Sequence, residues 1–191
     1  NSLFEMRATT RMFWMFWKNT ATPGTVQLVV GGSTAGNLIW RGLVNTNWDL
    51  SASNWLNAAV QDKFFNLDTV TFDDTGLGKP LVNFNTSVAP AAVTVNSTGT
   101  FTFSGTSGLT GTGTFTKTGT GTLNFNLTNS SFAGNVVISG GTLNMLAAGS
   151  KLNTGNLILS GGGTFNFPPS SPAYFYTGTI TVAAGQAGTV Y

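Results

Sequence analysis

The sequence predicts an all-β protein: a parallel β-helix with coils of about 20 residues and an aromatic N-terminal cap region. Three observations carry this. Only 7% of the 191 residues are charged, against roughly 25% in an ordinary soluble domain. Apolar residues alternate with Thr, Asn and Ser over short stretches, the period-2 signature of half-buried strands. One such stretch recurs after 21 residues, at Gly134 and again at Gly155. An antiparallel β-sandwich is the other architecture built from short strands and Gly turns, but it does not require repeats in register.

The composition also excludes chemistry. Without His there is no Ser-His-Asp triad and no imidazole ligand or base; without Cys there is no disulfide, thiolate nucleophile or thiolate metal site. No apolar run approaches the ~20 residues of a membrane helix, so no membrane span is expected.

Residues 1–37 form a separate zone. Arg7, Arg11 and Lys18 against Glu5 give its first 18 residues a balance of +2, while residues 19–191 balance to zero. The basic pI therefore originates here, and the remainder cannot line a surface with cations as nucleic-acid binding requires. Within this zone Met12, Phe13, Trp14, Met15, Phe16 and Trp17 are six consecutive large apolar residues flanked by Arg11 and Lys18. Such a run needs a partner. It reads as a strand beneath the β-helix, a strand added to a neighbouring subunit, or an interfacial membrane contact. It lacks a signal peptide's longer apolar region and cleavage site, and the chain reads as processed or excerpted.

Residues 38–80 are rich in Trp and Asp and read as lead-in coils. Trp40, Trp48 and Trp55 are either a plug over the open end of the solenoid or stacking platforms for sugar rings. Asn47, Asp49 and Asn54 between them build turns or hydrogen-bond sugars. Asp68, Asp73 and Asp74 are the one acid cluster. Asp73-Asp74-Thr75-Gly76 after a strand over Thr69–Phe72 reads as turn chemistry, with Ca²⁺ binding or carboxylate catalysis as the functional alternatives.

Residues 81–167 repeat. Gly134-Asn-Val-Val-Ile-Ser-Gly-Gly-Thr-Leu-Asn-Met145 matches Gly155-Asn-Leu-Ile-Leu-Ser-Gly-Gly-Gly-Thr-Phe-Asn-Phe167 with one extra Gly, and Val93–Phe103 is an earlier copy. Stacking would set Val136, Ile138, Leu143 and Met145 beside Leu157, Leu159, Phe165 and Phe167, with outward Thr and Asn in ladders. Residues 75–191 contain no carboxylate side chain. A solenoid accounts for this, because like charges at one coil position would lie at strand spacing, where they repel.

Leu109–Phe125, with Gly113-Thr-Phe115-Thr-Lys117-Thr-Gly119-Thr-Gly121-Thr-Leu123, followed by Phe132-Ala-Gly134-Asn-Val136 and Gly140-Gly141-Thr-Leu143, resembles the autotransporter-associated β-strand repeat. Lys117 falls on the Lys of that repeat. The upstream Trp40-Arg-Gly42, Asn47-Trp48-Asp49, Ser53-Asn54-Trp55 and Asp68–Asp74 resemble its lead-in, so the likeness covers roughly residues 38–167. It implies an exported bacterial protein, extracellular or at the cell surface, with a right-handed parallel β-helix and no implied catalysis.

Residues 168–191 resume strand-like alternation after Pro168, Pro169 and Pro172. No charge closes this end, which reads as a chain that continues or stacks end-on with another copy. The expectation is a non-enzymatic structural block of a stalk, fibre, surface layer or spike. It would need no cofactor, and its partners would be like subunits in a homo-oligomer or filament. The alternative is a polysaccharide-binding adhesion module using Trp40, Trp48 and Trp55; an enzyme using Asp73 or Asp74 ranks below both, since the stacked region holds no acid.

Overall fold

The structure, a computed structural model, describes residues 4–6, 13–19, 26–32, 34–146, 150, 152, 155–167 and 179–191. Two compact units divide the chain, Asn1–Ala35 and Gly36–Tyr191. In the first, β1 (Phe4–Met6), β2 (Phe13–Asn19) and β3 (Val26–Gly32) form an antiparallel sheet centred on β2. The division falls just before the residue-37 boundary expected from composition, because Asn37 already pairs with Thr69.

The second unit is a parallel β-solenoid of about five turns. It opens with β4 (Asn37–Trp40), β5 (Trp55–Asn57) and β6 (Val60–Asp62). Then come β7 (Thr69–Asp73), β8 (Leu81–Phe84), β9 (Ala92–Asn96), β10 (Thr100–Gly105), β11 (Thr114–Thr118) and β12 (Thr122–Asn126). The repeat region supplies β13 (Val136–Ile138), β14 (Thr142–Met145), β15 (Leu157–Leu159) and β16 (Gly163–Asn166), and β17 (Ile180–Val182) and β18 (Gly188–Val190) follow. From β7 onward, odd-numbered strands stack in one sheet and even-numbered strands in the other. Every pairing among them is parallel, which excludes the antiparallel sandwich.

The lead-in differs from the coils expected there. β4 is parallel to β7, but β5 and β6 pair antiparallel beside it. The first turn of the solenoid therefore ends in a meander, and the step from Leu38 to its partner Val70 is longer than later steps.

Alternation and register build the core together. Val70, Val93, Phe115, Val136 and Leu157 form one buried column; Phe101, Leu123, Leu143 and Phe165 form another. The expected neighbours Val136–Leu157, Ile138–Leu159 and Leu143–Phe165 are register partners. Each such side chain gains ~1.5–3 kcal/mol of transfer free energy on burial. The same columns end in Ile180 and Val190, both exposed.

Corners limit how closely coils can stack. A Cβ on Gly134 would overlap the carbonyl oxygen of Gly113, and one on Gly155 would overlap that of Gly134. Glycine at both places lets the backbones touch, so the recurring Gly is a packing requirement.

Candidate functional site

Trp40, Trp48 and Trp55 are fully buried at the N-terminal end of the solenoid. Trp55 meets Trp40 edge-on at 5.0 Å between ring centroids and Trp48 at 5.2 Å. Trp48 also packs against Phe64, Phe84 and Phe103, and Phe72 lies against all three indoles. Edge-on aromatic packing suits the ring quadrupoles and fills a wide interior with few side chains. These faces meet protein, so the alternative of glycan contact by Trp40, Trp48 and Trp55 is corrected: none of these three indoles is exposed for a sugar ring to stack on.

The polar residues between them build the turns. Asn54 is fully buried, and its Oδ1 accepts from Val44 N and Asn45 N, each at 2.9 Å. Its Nδ2 donates to Asn45 Oδ1 at 2.8 Å and Asn47 O at 2.6 Å. All the capacity of this amide is thus used on one loop. Asp49 accepts from Ser51 N, Ser51 Oγ and Ala52 N. Burial pushes its carboxyl up, but these bonds and one from Asn85 outweigh that and hold it below its ordinary value.

The three aspartates do not form a shared site. Asp68 is buried and accepts from Gly36 N at 2.6 Å and Phe65 N at 3.0 Å. Asp73 caps the 3-10 turn Asp74–Gly76 through Thr75 N, 2.9 Å away, and the Thr75 hydroxyl. Asp74 reaches the next coil instead: Oδ1 accepts from Ser97 Oγ at 2.6 Å and Thr98 N at 2.7 Å, and Oδ2 from Thr98 Oγ1 at 2.9 Å. The Ser97 hydroxyl, then the Thr98 groups, hold this carboxyl below its ordinary value. Among the described residues no three acids, His or Cys converge to hold a metal. Of the readings offered for Asp68, Asp73 and Asp74, the Ca²⁺ alternative is corrected: the three make separate turn and coil contacts.

Of the apolar N-terminal run, Met12 lies outside the described residues. Phe13, Trp14, Met15, Phe16 and Trp17 lie in β2. β3 pairs with β2 at all seven positions, and β1 pairs with Phe13, Trp14 and Met15 on the other edge. Donating β2 whole to a neighbouring sheet would require breaking these pairs.

The outward columns form the most extended surface feature of the solenoid. Thr100, Thr122, Thr142, Thr164 and Thr189 are successive register partners, with Thr102, Asn124, Asn144 and Asn166 beside them. Asn166 Nδ2 donates to Asn144 Oδ1 at 2.7 Å, Asn144 Nδ2 to Asn124 Oδ1 at 3.0 Å, and Asn124 Nδ2 to Thr102 Oγ1 at 3.4 Å. The expected hydroxyl and amide stacking is thus present as a hydrogen-bonded ladder along the sheet.

Sequence reasoning missed the position of Lys117. Its side chain is fully buried, and Nζ donates to the carbonyls of Thr118, Gly119 (3.1 Å) and Gly140 (3.3 Å). Burial lowers its pKa to about 8. The signal was legible: Lys117 shares the parity of Phe115, two residues away on the inward face of β11.

Compared with family models, curated proteins and solved structures, the chain matches none.

Proposed function

We propose that this chain is a non-enzymatic structural module, a β-solenoid segment of a bacterial surface stalk, fibre or filament. The observation that carries the reading is the pair of parallel sheets, stacked coil on coil, whose last strands β17 and β18 leave Ile180, Val182 and Val190 exposed. Among the described residues nothing pairs with the outer edges of β17 and β18, and such edges and inward apolar residues both gain by being covered by another coil. The lack of charge on residues 152–191 removes repulsion against that pairing.

Two further points support a scaffold over a catalyst. Asp73 and Asp74 are engaged in a turn cap and an inter-coil contact, and no carboxylate side chain follows them. The export and surface location rest on the resemblance of residues 38–167 to the autotransporter-associated repeat. Electron microscopy of purified protein tests the reading: rods or filaments longer than one solenoid are expected, and uniformly short single particles at high concentration would overturn it.

A further inference from the structure

From 110 to 122, every even-numbered residue is Thr and every odd one is Gly except Phe115 and Lys117. Alternation sets which face of β11 points inward, but it does not set where along its neighbours β11 sits. A slide by two residues returns Thr to every outward position, and strands of this kind hold register weakly.

We infer that Lys117 is the pin that sets the register of β11 in the solenoid. Its ammonium is buried at a corner where three carbonyls converge, two from its own turn and Gly140 O from the next coil. In the observed register Lys117 lies opposite Val95 on β9 and Ile138 on β13. A two-residue slide toward the strand starts would set the ammonium opposite Val93 and Val136, away from Gly140. That places a cation in an apolar column with one acceptor lost. The opposite slide draws Phe115 away from Phe132, against which its ring packs at 6.4 Å. Lys117 thus blocks one direction and Phe115 the other.

Among the described residues no counter-ion shares the duty. The facing residues on β9 and β13 are Val95 and Ile138, the flanking turns are Thr and Gly, and residues 75–191 hold no acid. Burying a charge away from water is costly even among acceptors, and setting register is a role buried polar groups are known to fill. The lowered pKa of the amine, about 8, agrees with a charge kept at a cost.

Cross-linking reads the register directly, since the chain has no native cysteine. Thr116 pairs with Val137, so T116C/V137C reports the observed register and T116C/N135C reports the blocked slide. In otherwise wild-type protein the first pair is expected to close under mild oxidation and the second to remain open. Adding K117M, which keeps the length and removes the charge, should let T116C/N135C close, with Tm lowered because Thr118 O, Gly119 O and Gly140 O lose their donor. T116C/S139C, reporting the direction blocked by Phe115, should stay open. K117M protein in which only T116C/V137C closes would overturn the inference. So would closure of T116C/N135C in otherwise wild-type protein, a readout that does not depend on the folding of K117M.

Discussion

Asn144 Nδ2 donates to Asn124 Oδ1 at 3.0 Å while Asn144 Oδ1 accepts from Asn166 at 2.7 Å. One amide thus joins three coils. N144A should lower unfolding free energy by ~1–2 kcal/mol, near the net value of two neutral hydrogen bonds. N144D should cost more at neutral pH, because a carboxylate oxygen would face the Asn124 carbonyl oxygen. Acidification should recover part of that loss by restoring a donor. Urea unfolding at pH 7 and pH 4 measures both.

Asn54 spends its whole side chain on the loop that leads to Trp48. N54A would leave Val44 N and Asn45 N, on an exposed loop, without their acceptor, and a loss of ~1–2 kcal/mol is expected because water can take over part of the bonding. Hydrogen exchange at Val44 and Asn45 should accelerate more than exchange at the distant β13–β15 ladder. Uniform acceleration would mean that the effect is global.

At the Gly113–Gly134–Gly155 corner, G134A should destabilise by ~3 kcal/mol, at the upper end of ordinary overpacking costs, since backbone is what the new methyl meets. G78A is the control: a Cβ there has nothing within 4 Å and its φ is not positive. Thermal melts of the two variants should separate clearly.

Asp74 makes the protein sensitive to acid in a defined sense. Its carboxyl is held below the ordinary value of 3.8 by Ser97 and Thr98. The folded state therefore keeps it ionised at a pH where the unfolded chain has taken up a proton. Its contribution is complete above 3.8 and is lost as pH falls through the lower folded value. D74A should be less stable at pH 7 and lose less on acidification to pH 2, as measured by urea unfolding.

Lys117 acts in the alkaline range with the same formal sign. The folded chain releases its proton near pH 8, the unfolded chain near 10.5. Between these values the unfolded state binds more protons, so stability should rise with pH. Wild type should therefore gain stability relative to K117M across that window. A constant difference would show that burial does not perturb the amine.

The repeat region was legible in detail because its side-chain period and its 21-residue spacing are both written in local order. Val136, Ile138 and Leu143 met the partners expected of them, and the missing acids were explained by the stacking of Asn124, Asn144 and Asn166. The lead-in was less legible. Nothing in the spacing of Trp40, Trp48 and Trp55 distinguishes an exposed aromatic platform from a buried plug; the distinction depends on Phe64, Phe72, Phe84 and Phe103, which arrive from four other segments. The proximity of Asp68, Asp73 and Asp74 in sequence leaves turn chemistry and a shared ligand both open, and neither shows that Asp74 is bonded to Ser97 and Thr98, one coil away.

By itself the sequence determined that the chain is β throughout, that it stacks, and which residues of each strand point inward, because alternation and repeat length are local properties. Only the tertiary structure decided what polar groups do once stacked. Asn54 depends on the closure of its own loop, whereas whether Asp74 faces a ligand or the next coil, and whether Lys117 reaches Gly140 O, depends on atoms a full coil apart. Hydrogen bonds act over about 3 Å, and only closure of the coils brings those partners within that range.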